Sequence, residues 1–436
     1  MTRILTLLTA LLLASPLHAE IQIQDVVSSK GVDAWLVEEH SIPIVSLEIR
    51  FKGGANLDAP GKRGVTNLMM GLIEEGAGEM DARAFATAQE SLAASYSFSA
   101  YNDSVAISAK FLTENRDQAI ALLRSAIMQP RFDPDAIERV RAQVLSGIKS
   151  DLTDPKEIAN RTFDKAAFGD HPYGSSRNGT LESVGAITRD DIVASHKGTF
   201  ALDRLYVGAV GDITKAQLSK LLDDLFAGLP ETGAPMLDHA TYQLTGGVTV
   251  IPFDTPQSVV VFGHEGITRD DPDFFPAYIL NQILGGSNFS SRLMNEVREK
   301  RGLTYGVYSY LVPMDLGELY MGQVSSANDR VAQAIDVIRD EWTRAAKDGV
   351  TATELDAAKT YLTGAYPLRF DGNGPIADIM VGMQSQGLPI DYIATRNDQI
   401  NAVTLDQINR VAARILRPQD LRFVVVGQPK GLEPSN

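Results

Sequence analysis

The run Leu284-Gly-Gly286-Ser-Asn-Phe-Ser-Ser-Arg-Leu293-Met-Asn-Glu-Val-Arg298-Glu-Lys-Arg-Gly302-Leu-Thr-Tyr305-Gly-Val-Tyr308 concentrates groups able to act on another molecule. Small residues open it, Arg298 closes a helical pattern, and Tyr305 follows seven positions later at the head of an alternating strand. A guanidinium makes strong, directed hydrogen bonds to carbonyl or carboxylate oxygen, and a phenol supplies one O–H donor. Each residue taken alone has a plainer reading. Arg298 lies in Glu296-Val-Arg-Glu-Lys-Arg301, where alternating charge suits a solvated helix end, and aromatics are common in strands. The run as a whole, with its small-residue opening and its Gly302-Leu turn, favours function.

Other reactive groups are scattered. His40, His171, His196, His239 and His264 stand singly, with no pair spaced three or four apart, so each reads as a surface or hydrogen-bonded core residue rather than a metal ligand. Glu74 and Glu75 read as the solvated end of a helix. Met69 and Met70 fall in the apolar run 68–73 and read as core packing. The chain has no cysteine, which excludes disulfide scaffolds and thiolate zinc sites.

The elements that must position these groups occur twice. In the first half, strand-like runs over 34–38 and 44–51 precede a helical pattern over 64–75. A hairpin over 95–101 and 104–111, turned by Asn102-Asp103, comes next, then helices over 116–128 and 134–152 and a closing strand over 204–210. The second half repeats this order. It has strands over 248–252 and 258–263, helices over 274–284 and 290–300, and a strand pair over 304–312 and 317–325. Helices follow over 329–348, 353–370 and 376–386. Thr404-Leu-Asp-Gln-Ile before Leu421-Arg-Phe-Val-Val-Val echoes Thr188-Arg-Asp-Asp-Ile before Arg204-Leu-Tyr-Val-Gly-Ala-Val. The expectation is an α+β chain of two homologous domains, 20–229 and 248–436, joined by a Pro/Gly/Thr linker over 230–247. Each would be a mostly antiparallel sheet with helices on one face, and the pair would enclose a cavity.

This order resembles the pitrilysin/insulinase family of zinc peptidases, in the short-chain branch related to mitochondrial processing peptidase, and the likeness spans essentially all of residues 20–436. Members carry H-x-x-E-H on a helix after a Gly-Gly strand end, where two histidines hold zinc and the glutamate is the general base, with a further glutamate ligand downstream. Here the strand ends Phe51-Lys-Gly53-Gly54-Ala-Asn56, and the helix reads Gly64-Val-Thr-Asn67-Leu-Met-Met70-Gly71. Asn67, Met70 and Gly71 stand at the motif positions, and the later ligand position falls near Gly147. An amide, a thioether and two hydrogens make no zinc site. In the second half, by contrast, Arg298 and Tyr305 match the family's spacing. The resemblance implies that the arginine holds substrate main chain and that the tyrosine hydroxyl stabilises the developing oxyanion, a contribution of ~10²–10³ in rate. It also implies that a peptide adds as a strand near the strand-end glycines, which puts Gly53, Gly54 and Asn56 forward as substrate-binding residues.

Composition sets the remaining expectations. Of 436 residues, 55 are acidic and 40 basic, a formal net charge of −15, which disfavours nucleic acid and anionic lipid as partners. Residues 1–19, with Arg3, a short apolar core and a small-x-small ending, read as a secretory signal, and no later stretch is apolar enough to span a membrane. An exported chain without cysteine fits the bacterial periplasm. With one half-site kept and the metal half erased, the chain reads as the non-zinc subunit of a heteromeric peptidase. It would bind no cofactor itself and would act on short or unfolded peptides beside a homologous H-x-x-E-H subunit that carries the zinc. The alternative is a catalytically inactive peptide-binding or scaffold pseudo-peptidase.

Overall fold

Strict alternation along Ile44-Val-Ser-Leu-Glu-Ile-Arg-Phe-Lys52 builds a strand with two unlike faces. Val45, Leu47, Ile49 and Phe51 enter a hydrophobic core, while Ser46, Glu48 and Arg50 point the other way. The computed structural model describes residues 21–286 and 290–435. The expected leader over 1–19 lies outside the described residues, as do Ser287, Asn288 and Phe289 of the small-residue run.

The strands are β1 (Gln24–Val27), β2 (Asp33–Glu38), β3 (Ile44–Lys52), β4 (Gly76–Ala77), β5 (Met80–Asp81), β6 (Ser95–Ala100), β7 (Ser104–Leu112) and β8 (Leu205–Gly211) in the first half. The second half has β9 (Gly247–Pro252), β10 (Gln257–Glu265), β11 (Val307–Met314), β12 (Gly317–Ala327) and β13 (Arg422–Gly427). The first sheet is ordered β1-β2-β8-β3-β7-β6 and the second β11-β12-β10-β13-β9. Apart from β1 the orders superpose: a hairpin at one edge, an antiparallel centre, and one parallel pair, β2 with β8 and β9 with β13. The repeat seen in the sequence is thus a repeat of topology. Its threonine signatures are helix caps. The Thr188 side chain accepts from the Asp191 N–H to start Arg189–Thr199, and Thr404 accepts from Gln407 to start Leu405–Ile415.

One face of each sheet carries the helices of its own half. The other face carries one helix from the opposite half, which the sequence reading did not foresee. Helix Pro155–Phe168 lays Ala159, Phe163 and Ala167 on Val261, Val424 and Val426 of the second sheet. Helix Asn373–Ser385 returns the favour on the first sheet, where Ala377 and Met380 meet Val210 of β8, with Trp35 and Val37 of β2 packed alongside. Gly208 permits the approach, since a Cβ there would lie 2.8 Å from the Ala377 carbonyl oxygen. The start of Pro155–Phe168 is local chemistry. Proline occupies its first turn, and Asp154 accepts from the N–H groups of Lys156 and Glu157.

Three expected helices are shorter than periodicity predicts, the one over 353–370 ending at Gly364 before a separate tight turn over Tyr366–Phe370. The pattern over 64–75 yields only Val65–Met70, which Gly71 closes before the β4-β5 hairpin. The pattern over 290–300 becomes one wide turn, Met294–Glu299, in which the Lys300 N–H reaches back to Asn295 O. No helix among the described residues is long and apolar enough to cross a membrane.

Candidate functional site

The positions that the resemblance aligns with the family's metal ligands fall on two adjoining helices. Asn67 and Gly71 share one face of Val65–Met70, with the Gly71 N–H donating to Asn67 O at 3.2 Å. Helix Pro134–Asp151 lies beside them, and a Cβ on Gly71 would stand 3.1 Å from Val140 on that helix. Gly147, two turns further along, is exposed, and a Cβ there would meet nothing within 4 Å. Met70 turns inward and is 1% exposed in the first core. Zinc takes imidazole, thiolate or carboxylate. The side chains at these four positions offer one amide and one buried thioether, so they do not fit the metal. Among the described residues no group of three His, Cys, Asp or Glu is arranged to hold one.

The histidines have structural partners. His40 sits between Asp212 and Glu38, His196 bonds to Ile127 O, and His239 bonds to Glu318. His171 caps the turn Pro172–Gly174. His264 is fully buried and accepts from the Trp342 indole at 3.0 Å, and burial pulls its imidazole down to about 4, so it stays neutral.

The strand-end residues face inward. The N–H groups of Gly53, Ala55 and Asn56 donate to Asp103, Tyr101 and Asn102 at 2.6, 2.8 and 2.9 Å, all on the β6-β7 turn. Gly54, at φ +49°, lies so close that a Cβ would stand 2.4 Å from Ser104 N. Asn56 is 2% exposed and donates to the Asp103 carboxylate at 2.7 Å. The amides of Gly53 and Asn56 are therefore already used within the chain. The edge of that sheet on this side is β6. Beside it, on the outer face, a cavity of about 460 Å³ is lined by Ser46, Glu48, Ser97, Ser108 and Lys110, and by 372–375 from the second half. Burial pushes the Glu48 carboxyl up to about 7, against the hydrogen bond donated by Ser108.

Sequence reasoning assigned no contact to Tyr173, and the structure shows what it does. The Tyr173 hydroxyl donates to Asp103 in the first half and accepts from the Leu316 N–H of the second at 3.0 Å. It also missed Arg63, which bonds to Ser175 Oγ, Pro172 O and Asn102, and pairs at 3.5 Å with the buried Asp58. A charge run flanked by glycines gave no signal for that role.

Arg298 lies on the wide turn Met294–Glu299 and pairs with Glu299 at 2.7 Å. The Tyr305 turn is fixed through its backbone. Thr304 Oγ1 donates to Ser325 O at 2.7 Å and accepts from the Gly306 N–H, while Arg330 donates to Gly302 O and Arg301 O at 3.0 Å. The Tyr305 side chain stands outside this clasp, 90% exposed, and among the described residues its hydroxyl has no hydrogen-bond partner. Among the described residues no hydrogen bond joins Tyr305 to Asn67, Gly71 or Gly147.

Comparison with known proteins agrees with this geometry. The sequence pattern of insulinase (peptidase family M16) matches residues 35–181, and that of the peptidase M16 inactive domain matches residues 186–362. The chain is 27% identical over 394 residues to a Helicobacter pylori protein described as the non-peptidase homolog YmxG, covering 90% of this chain and 91% of that one. It is 24% identical to the uncharacterized zinc protease YmxG of Bacillus subtilis, covering 93% and 98%. The crystal structure of a peptidase M16 inactive domain from Pseudomonas fluorescens superposes with a TM-score of 0.89 at 28% identity, over 95% of this chain and all of that one. Two family patterns in series and the matching architecture lead to one conclusion: the chain belongs to the M16 (insulinase) peptidase family.

Proposed function

We propose that this chain is the non-zinc subunit of a heteromeric zinc peptidase, exported to the bacterial periplasm by the leader read in residues 1–19. A homologous subunit with an intact H-x-x-E-H would supply metal and general base. This chain would contribute Arg298, to hold substrate main chain, and Tyr305, to donate to the oxyanion. The observation that carries the reading is Tyr305 itself: a 90% exposed phenol on a turn clasped at the backbone, its hydroxyl without a partner among the described residues. An aromatic ring left in water gains nothing for folding, and a free hydroxyl on a backbone-clasped turn is available to donate to an external oxyanion. Short or unfolded peptides would pair with the β6 edge, since strand addition uses main-chain bonds and tolerates many sequences.

A second reading is favoured by the descriptions of the similar proteins, "non-peptidase homolog" and "inactive domain". In it the chain captures extended peptides or scaffolds other proteins, with no part in hydrolysis. Affinity capture of the tagged chain from its native periplasm separates the two. A co-eluting partner of similar length with H-x-x-E-H, at near-equal amount, supports the split site. Recovery of the chain alone, or with an unrelated protein, moves the assignment to the pseudo-peptidase.

A further inference from the structure

Between the first sheet and the second half lies a cleft of about 500 Å³, a volume suited to a small ligand or one end of a peptide. Its charge runs against that of the molecule. Arg50, Arg269, Arg369 and Arg396 line it with Asp378 as the one acidic group, net +3 in a chain of net −15. Only Arg50 has an ion-pair partner among the described residues, Asp378 at 2.9 Å, and the Arg50 Nε is buried without any partner.

Arg396 is the most telling of the four. It is 5% exposed and bonds only to neutral oxygens, Leu362 O at 3.3 Å and Asn397 at 3.1 Å, with its guanidinium 4.1 Å from the centre of the Tyr366 ring. A buried cation ordinarily has an anion beside it. Arg269 stacks 4.2 Å over Phe274 and donates to the Tyr392 hydroxyl at 2.9 Å. Aromatic rings hold these guanidinium groups where carboxylates would ordinarily sit. The cleft thus presents cations and flat apolar walls together.

We propose that this cleft binds a carboxylate carried next to a flat apolar group, as at the C-terminus of a peptide ending in an aromatic residue. The inference rests on the peptide-binding part of the reading above and adds to it a determinant at the substrate's free end. Arg369, exposed and with no hydrogen bond or ion pair among the described residues, is the reach that meets the carboxylate first, and Arg50 follows as Asp378 yields its partner. The aromatic walls receive the side chain.

The test uses the isolated full chain, with fluorescence anisotropy of a short N-terminally labelled peptide ending in phenylalanine, as free acid and as C-terminal amide. The free acid is expected to bind at least about tenfold more tightly than the amide, the scale of one charged hydrogen bond. Arg369→Ala is expected to weaken the acid about tenfold and leave the amide unchanged, whereas Asp378→Asn, which removes the competing anion, should tighten the acid several-fold. Both positions are solvent-facing, so neither change threatens folding. Equal affinity of acid and amide, no binding of either, or indifference to Arg369→Ala overturns the proposal. Competition by 3-phenylpropionate as strong as by the peptide sustains the carboxylate site and overturns the peptide as its occupant. Because binding is read without a partner subunit, an inactive complex or a silent Tyr305→Phe leaves this result standing.

Discussion

The helix Val65–Met70 and the turn that carries Tyr305 stand in opposite relation to the rest of the molecule. In the first, the residue at the catalytic glutamate position has been drawn into the core: Met70 is 1% exposed. In the second, the backbone is clasped by Thr304 and Arg330 while the side chain is left 90% in water. A position released from chemistry is free to serve packing, and under the proposed function a position that serves an external ligand keeps a clasped backbone and an unpacked side chain. Five measurements set these two regions, and the halves that bear them, against each other.

The largest effect should come from the exchange of helices. Phe163→Ala, encoded in the first half but buried on the second sheet, should cost about 3–5 kcal/mol. Both halves should lose stability together, seen as coincident denaturation of Trp35 in the first and Trp342 in the second. Loss confined to one reporter would mean that the halves are independent. Next, Met70→Glu should cost roughly 2–4 kcal/mol by burying a carboxyl with no partner, against less than about 1.5 kcal/mol for Met70→Leu. A neutral Met70→Glu would place the position on the cavity wall instead.

Glu48 gives a pH signature. Its carboxyl is raised from 4.5 to about 7 by burial first and by the nearby Asp378. Between those values the folded chain keeps a proton that the unfolded chain releases, so the group favours folding below the window and that contribution is lost as pH rises through it. Glu48→Gln should therefore gain about 1 kcal/mol at pH 8 and almost nothing at pH 4, by urea titration at each pH. A gain that is the same at both would detach the effect from ionisation. The smallest change is at Gly147, which the resemblance aligns with the downstream ligand. Gly147→Ala, in a helix with open space around it, should raise stability by about 0.5–1 kcal/mol.

The doubled order of elements was legible in the sequence because alternation and turn residues are local. Asn102-Asp103 gave its hairpin, and Thr188 and Thr404 gave paired helix starts. The missing metal donors were legible as plain residue types at Asn67, Met70, Gly71 and Gly147. What was not legible is what depends on distant contacts. Nothing local says that Pro155–Phe168 lies on the other half's sheet, although Asp154-Pro155 does announce a helix start. Nor could the strand-end residues reveal that the amides of Gly53, Ala55 and Asn56 close on residues 101–103 of the β6-β7 turn. The Arg369 and Arg396 cleft was invisible for the same reason, since its lining comes from segments more than 300 residues apart.

The central claim is that this chain serves hydrolysis only through another, by way of Tyr305. Peptide hydrolysis should be measured for the chain alone, for a homologous H-x-x-E-H subunit captured with it, and for the mixture, each with wild type and Tyr305→Phe. The account predicts turnover only in the mixture, a fall of ~10²-fold with Tyr305→Phe, and a free-chain stability within about 0.5 kcal/mol of wild type. Turnover by the chain alone, or a Tyr305→Phe mixture as active as wild type, would contradict it.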